Sequence, residues 1–180
     1  MHLEALLSLD RRAIGALLSE KLASPGAHVP PSFLDDTVFR GTTLGNSAFV
    51  ERLTWKTFRK VVVSEVSADW SVIRRGWNVR LEQTGVDGES RPLRTRDGAT
   101  RCFGPFRVQE SEQGATLDYG VHANRFLPTR FVRDPLVFVE ENLLLGMSNV
   151  HLGSLVFRTP TFFALRPERR VEDADLWSPA

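Results

Sequence analysis

The chain has one cysteine, Cys102, in 180 residues. No intrachain disulfide can form, and a zinc site would have to be built from histidine and carboxylate ligands alone. Ligand spacings such as HxH or HExxH are absent, as are the glycine-rich loops that cradle phosphates, so neither a metal nor any other cofactor is expected. Net charge is also nearly absent, with 23 basic residues against 22 acidic ones for a total of +1. A chain without a global positive field does not attract a polyanion, which argues against nucleic acid as a partner. The local groups Arg91/Arg94/Arg96 and Arg166/Arg169/Arg170 have Asp and Glu among or beside them and read as solvated loop and tail charges. No apolar run approaches the ~18–20 residues of a membrane span. Asp10, Arg11, Arg12, Glu20 and Lys21 interrupt the apolar core that a signal peptide needs. A cytoplasmic location is expected, and a lone thiol suits a reducing compartment.

With 42% hydrophobic and 25% charged residues, the composition is that of a globular domain, and the length suffices for one core. Leu3, Leu6 and Leu7, then Ile14, Leu17, Leu18 and Leu22, have the three-and-four spacing of two short amphipathic helices, the second capped by Asp10. Pro25-Gly26 and Pro30-Pro31 end helical structure. The helices are expected to rest as a lid or plug on one end of a sheet. From Val38 onward short strand-like runs recur every ~8–15 residues with turn residues between them and no strand–helix alternation. The stretch Ala48 to Phe58 fits strand or helix, and Pro92 to Arg96 reads as a short strand among hairpin loops.

The most informative stretch is Leu117 to Leu165. Phe131 to Val139, Leu143 to Leu152 and Leu155 to Leu165 form three apolar runs separated by Glu140-Glu141-Asn142 and by Gly153-Ser154, the pattern of an antiparallel meander. About 8–10 strands preceded by short helices give a mainly β fold. A closed antiparallel barrel solves the edge problem for such a set and leaves an interior that can hold one small ligand, with a sandwich as the other architecture. The expected organisation is an N-terminal helical segment and Pro-rich link over 1–31, the barrel over 32–166 and a polar tail over 167–180.

Polar residues inside these runs are the natural site candidates. Arg133-Asp134 lies between apolar neighbours, and adjacent strand residues face opposite sides, so one of the two points inward. An inward Arg133 would need Asp118 or Arg40 nearby, since a lone buried charge costs several kcal/mol. The pair then either closes the barrel end as a salt bridge or anchors a ligand oxygen, with Tyr119 beside it. Asn149 and His151 share a strand face with Met147 and can form a second polar patch, although a hydrogen-bonded histidine at a strand end beside Gly153 is the better account of His151. Trp77 shares its face with Val79 and Leu81, while Asn78 and Arg80 face the other way, toward water or a polar cavity. Arg40, Trp77, Tyr119, Arg133, Met147, Asn149 and His151 are therefore the expected ligand contacts. If the chain is an enzyme, Asp118, Tyr119 and His122 are the acid–base candidates. Ser148 and Ser154 lack the Gly-X-Ser-X-Gly setting of a hydrolase, and Cys102 lacks a sequence-local activating partner.

Taken together, Phe39-Arg40-Gly41-Thr42, Gly76-Trp77-Asn78-Val79, Leu117-Asp118-Tyr119, and Phe131-Val132-Arg133-Asp134 with Leu143-Leu144-Leu145-Gly146 give the chain a family likeness. It resembles a bacterial lipocalin-like (calycin-type) β-barrel family, and more distantly it is similar to domains named for a Gly-X-Trp-X-Gly motif. The resemblance implies a small barrel with an apolar interior and no particular activity. The expected function is binding of a small, mainly hydrophobic molecule inside the barrel. The alternatives are an isomerase, cyclase or lyase using the same cavity, and a scaffold whose barrel is filled.

Overall fold

The computed structural model of the protein describes residues 1–45, 56–82, 91–96, 98–124, 127–152 and 155–176. Its strands are β1 (Thr37–Leu44), β2 (Thr57–Val66), β3 (Val72–Arg80), β4 (Cys102–Ser111), β5 (Gly114–Asp118), β6 (Val132–Glu140), β7 (Leu143–Leu152) and β8 (Leu155–Arg170). Each pairs antiparallel with the next, and β8 returns to pair with β1, so the eight close into one barrel. Among the described strands, closure pairs both edges of each with a neighbour. This is the mainly β, lipocalin-like barrel expected, with α1 (Leu3–Leu7) and α2 (Arg11–Leu22) as its short N-terminal helices. No helix among the described residues is long and apolar enough to cross a membrane.

The predicted meander is present as β6, β7 and β8, and β8 runs on to Arg170 because its far half must reach β1, where Thr37 faces Arg170. Pro92 and Arg94 make only isolated bridges, to Leu81 and Thr100, instead of a strand; a proline there has no N–H for a ladder. Residues 48–55 of the ambiguous Ala48–Phe58 stretch and the Gly153-Ser154 turn lie outside the described residues.

Side-chain alternation divides the barrel into an interior and an outer face. Phe39, Val62, Phe106, Ala115, Leu117, Leu136, Leu144 and Leu165 fill the interior. On the outside, Leu44, Val137, Leu143, Leu145, Met147, Phe162 and Ala164 form an apolar face, and the stripe Leu3, Leu6, Ile14 and Leu18 covers it. The helices are thus a flank and not the end-lid expected from sequence. The reason is that β6, β7, β8 and β1 present an outward apolar face that only an amphipathic helix can take out of water. As expected, Asp10 caps α2, its Oδ1 accepting from the Ala13 N–H at 2.8 Å.

The barrel end is closed instead by the proline-rich link. Its 3-10 turns at Pro25–Ala27 and Pro31–Leu34 place Val29 and Leu34 in the interior cluster, with Phe33 packed against it. The Val29 carbonyl accepts from the Ala115 N–H at 2.8 Å, which fixes the link to β5. A Cβ on Gly114 would come within 2.8 Å of the Val29 backbone, so this closure needs glycine there.

Candidate functional site

Above the Val29–Leu34 plug the interior is not filled. A cavity of about 340 Å³ lies between the ends of β1, β3, β5 and β7 and the beginnings of the strands that follow them. This is within the size range of small-molecule pockets. Phe58, Phe103 and Phe163 form its walls, Lys60, Asn78, Tyr119, Asp134 and Ser148 supply its polar groups, and Thr43, Thr129 and Thr161 lie on the side away from the plug.

The aromatic rings are seated by glycines on neighbouring strands. Gly41 faces Phe58, Gly76 faces Phe106 and Gly146 faces Phe163 across the ladder. A Cβ at Gly41, Gly76 or Gly146 would meet its opposing ring at 2.3, 2.5 or 2.4 Å respectively. Only a residue without a side chain lets these rings lie back against the barrel wall. The space so released is the cavity.

Lys60, on β2, points into this interior and is 3% exposed. Its Nζ donates to Asn78 Oδ1 at 2.8 Å and to the Tyr119 hydroxyl. Four rings surround the Nζ, with centroids at 5.0 Å for Phe163, 5.2 Å for Tyr119, 5.3 Å for Phe106 and 5.4 Å for Phe58. A cation is attracted by such ring faces, so the cage compensates part of the hydration that Lys60 loses. Asp134 enters from β6, 2% exposed, and its carboxyl lines the cavity together with the hydroxyls of Ser148 and Tyr119. Its Oδ1 has no hydrogen-bond partner. The Tyr119 hydroxyl therefore stands between an amine and a carboxyl. Asn124 holds that tyrosine from behind, its side-chain amide donating to the carbonyls of Tyr119 and Pro105.

Burial controls the titration of all three groups, because it disfavours whichever form carries charge. It lowers Lys60 to about 8, against which the Asp134 charge acts only in part. It raises Asp134 to about 6, again opposed by the Lys60 charge and by hydrogen bonds from Ser148 and Tyr119. Tyr119 is raised well above its ordinary value by burial and then by the Asp134 charge, so its hydroxyl stays protonated. An amine and a carboxyl that both change state close to neutrality, joined through a phenol, can take up and release protons at a ligand between them.

Of the residues singled out in the sequence, Tyr119 lines the cavity. Arg133 is placed on the outer side of β6, and its alternate Asp134 is the inward member of the pair. The expected partnership of Arg133 with Asp118 is present, at 2.7 Å, but it belongs to an ion cluster outside the cavity. There the buried Asp118 also accepts from Arg107 at 3.1 Å, from the Gln109 side chain at 2.6 Å and from the Gly120 N–H at 2.7 Å. Arg40 alternates with the inward Phe39 and Gly41 and sits half-buried on the outer side of β1. Trp77 packs with Val38, Val61 and Val79 on the outer face, and Met147 packs under the helices. Asn149 is buried opposite Arg133 in the ladder, His151 is half-buried further along β7, and His122 is exposed in the turn after β5. Among the described residues no three His, Cys, Asp or Glu side chains converge as metal ligands would.

Sequence reasoning missed Lys60, Asp134 as the inward group, and Ser148. Asn78 was placed correctly on a face opposite Trp77. A signal for Lys60 was available: Phe58, Lys60 and Val62 share one face at period two, and a lysine between two apolar residues on a buried face is rare enough to mark. The chain uses 20 arginines and three lysines, Lys21, Lys56 and Lys60, so enclosing one of the three is notable in itself. Comparisons with protein-family models, with curated proteins and with solved structures found no match, so the site rests on its own geometry.

Proposed function

We propose that this protein is a lipocalin-like (calycin-type) barrel that binds one small, mainly apolar molecule in its interior. The apolar part contacts Phe58, Phe103 and Phe163, and a polar end is directed at Lys60, Tyr119 and Asp134. The observation that carries the reading is the cavity of about 340 Å³ whose aromatic walls end on a cluster of polar groups, an arrangement that gives both affinity and orientation. The charge balance of +1 agrees with a ligand of little net charge, and a half-buried free thiol at Cys102 suits the cytoplasm. The test is titration with a panel of apolar fluorescent probes and small aromatic or terpenoid molecules, read by probe emission and calorimetry. Binding of one or more members at one site per chain is expected. Failure across the panel removes this function.

A second reading, acid–base catalysis of an isomerase or lyase kind on the bound molecule, is favoured by the Tyr119 hydroxyl lying between Lys60 and Asp134. It requires that Tyr119→Phe abolish turnover of a bound substrate while leaving its binding in place. Equal turnover in both proteins overturns it.

A further inference from the structure

Resting on the reading of the cavity as a ligand site, we infer that Lys60 is a point of covalent attachment: the cavity takes a small apolar aldehyde or ketone and holds it as an imine on the Lys60 amine.

The chemical class follows from what the ligand must face. A carboxylate ligand would bring a second negative charge beside Asp134 in a space walled by phenylalanine, where like charges are poorly screened. A cationic ligand would meet the same conflict with Lys60. A plain hydrocarbon leaves the amine and the carboxyl unused, and Asp134 Oδ1 remains a buried acceptor without a partner. A neutral carbonyl compound avoids each of these conflicts. Its electrophilic carbon suits the amine, and the hydroxyl formed on addition can donate to Asp134 Oδ1.

The same groups supply the protons that imine formation moves. The neutral Lys60 nitrogen attacks the carbonyl carbon, forming a C–N bond, while the carbonyl π pair moves to oxygen; the nitrogen gives up one proton and the oxygen gains one, relayed by the Tyr119 hydroxyl beside the amine. The carbinolamine then loses its C–O bond as water, the oxygen taking a proton from the Tyr119–Asp134 pair and the nitrogen returning one. One water leaves, nothing is oxidised or reduced, and no co-reactant is consumed. Among the described residues, the titratable groups facing Lys60 are Tyr119, immediately after β5, and Asp134 from β6; the other elements around it present Asn78, Ser148, threonines and aromatic rings. With Lys60 near 8, roughly half of its amine is free at pH 8, against under about 1% for an ordinary lysine.

The experiment uses the full chain with cinnamaldehyde and sodium cyanoborohydride at pH 8, followed by digestion and peptide mapping. In parallel, cinnamyl alcohol is titrated by calorimetry into the wild-type protein and into Gly41→Ala, whose added Cβ pushes Phe58 into the cavity. The expected result is a Lys60 peptide heavier by the aldehyde less one oxygen atom. Its labelling should exceed that of Lys21 and Lys56 by at least tenfold, within the roughly hundredfold ratio of free amine at this pH. Tyr119→Phe should bind the alcohol and form the adduct more slowly, and Lys60→Met should form none at the cavity. The wild-type map decides the matter even where a variant does not fold. Labelling confined to the Met1 amine, Lys21 and Lys56 while the alcohol still binds overturns the covalent inference and leaves the binding function standing. If neither the aldehyde nor the alcohol enters the cavity, both fall.

Discussion

Stability should rise with pH in a range where most proteins lose it, and Lys60 is the cause. The group titrates near 8 in the folded chain and at 10.5 when exposed. Below about pH 8 both states hold the proton and Lys60 contributes no pH dependence. Between about 8 and 10.5 the unfolded chain binds one proton more than the folded chain, so the free energy of unfolding increases with pH. A difference from 10.5 to about 8 corresponds to about 3 kcal/mol. Tyr119 acts in the opposite sense at the top of this window, because burial keeps its hydroxyl protonated in the folded chain while the unfolded chain releases that proton from about pH 10 upward, but this contribution is common to wild type and variant. The perturbation is Lys60→Met, which keeps an unbranched apolar stem within the four-ring cage and removes the amine. The assay is urea unfolding of both proteins at intervals from pH 7 to 10.5, followed by tryptophan fluorescence. Subtracting the variant removes the contributions of the other titrating groups. Wild type should gain about 3 kcal/mol on Lys60→Met between pH 8 and 10.5. A difference that stays flat over that window shows that the ammonium is hydrated in the folded protein, and the buried cluster described above is then refuted.

Asp134 gives the complementary window. Its folded value of about 6 lies above the exposed 3.8, so its contribution is present below pH 3.8 and about 3 kcal/mol of it is lost as pH rises through 6. Asp134→Asn should flatten the unfolding free energy between those limits relative to wild type. Asp118→Ala should destabilise the fold by about 2–3 kcal/mol in chemical denaturation, because it removes a buried acceptor of two arginines, a glutamine and a backbone N–H. It should leave probe affinity in the cavity unchanged. Gly41→Ala should cost about 1–3 kcal/mol through overpacking against Phe58 and should weaken probe binding at least tenfold, checked by the same titration used for the wild type.

The lid assignment shows where pattern reading stops. Apolar periodicity in 1–22 correctly gave two helices and a cap, because those signals are local. Where the helices dock depends on which surface of the barrel is left apolar, and that is a property of strands far away in the sequence. The link that does close the barrel end, from Pro25 to Leu34, carries punctuation signals that say only that a helix stops.

Strand positions, antiparallel order and a barrel able to enclose a ligand were determined by the chain itself, through alternating runs and the turn residues between them. Tertiary structure alone decided which face of each strand is the inside. On β7, Leu143, Leu145 and Met147 are as apolar as Leu144 and Gly146 on the opposite side, because helices bury the outer face as fully as the core buries the inner one. Period-two alternation marks two faces and assigns neither when both are dry, and a shift of one residue exchanges them. That exchange is what separates Arg133 from Asp134 and Asn149 from Ser148. It places Lys60 of β2, Tyr119 just past β5 and Asp134 of β6 around one cavity.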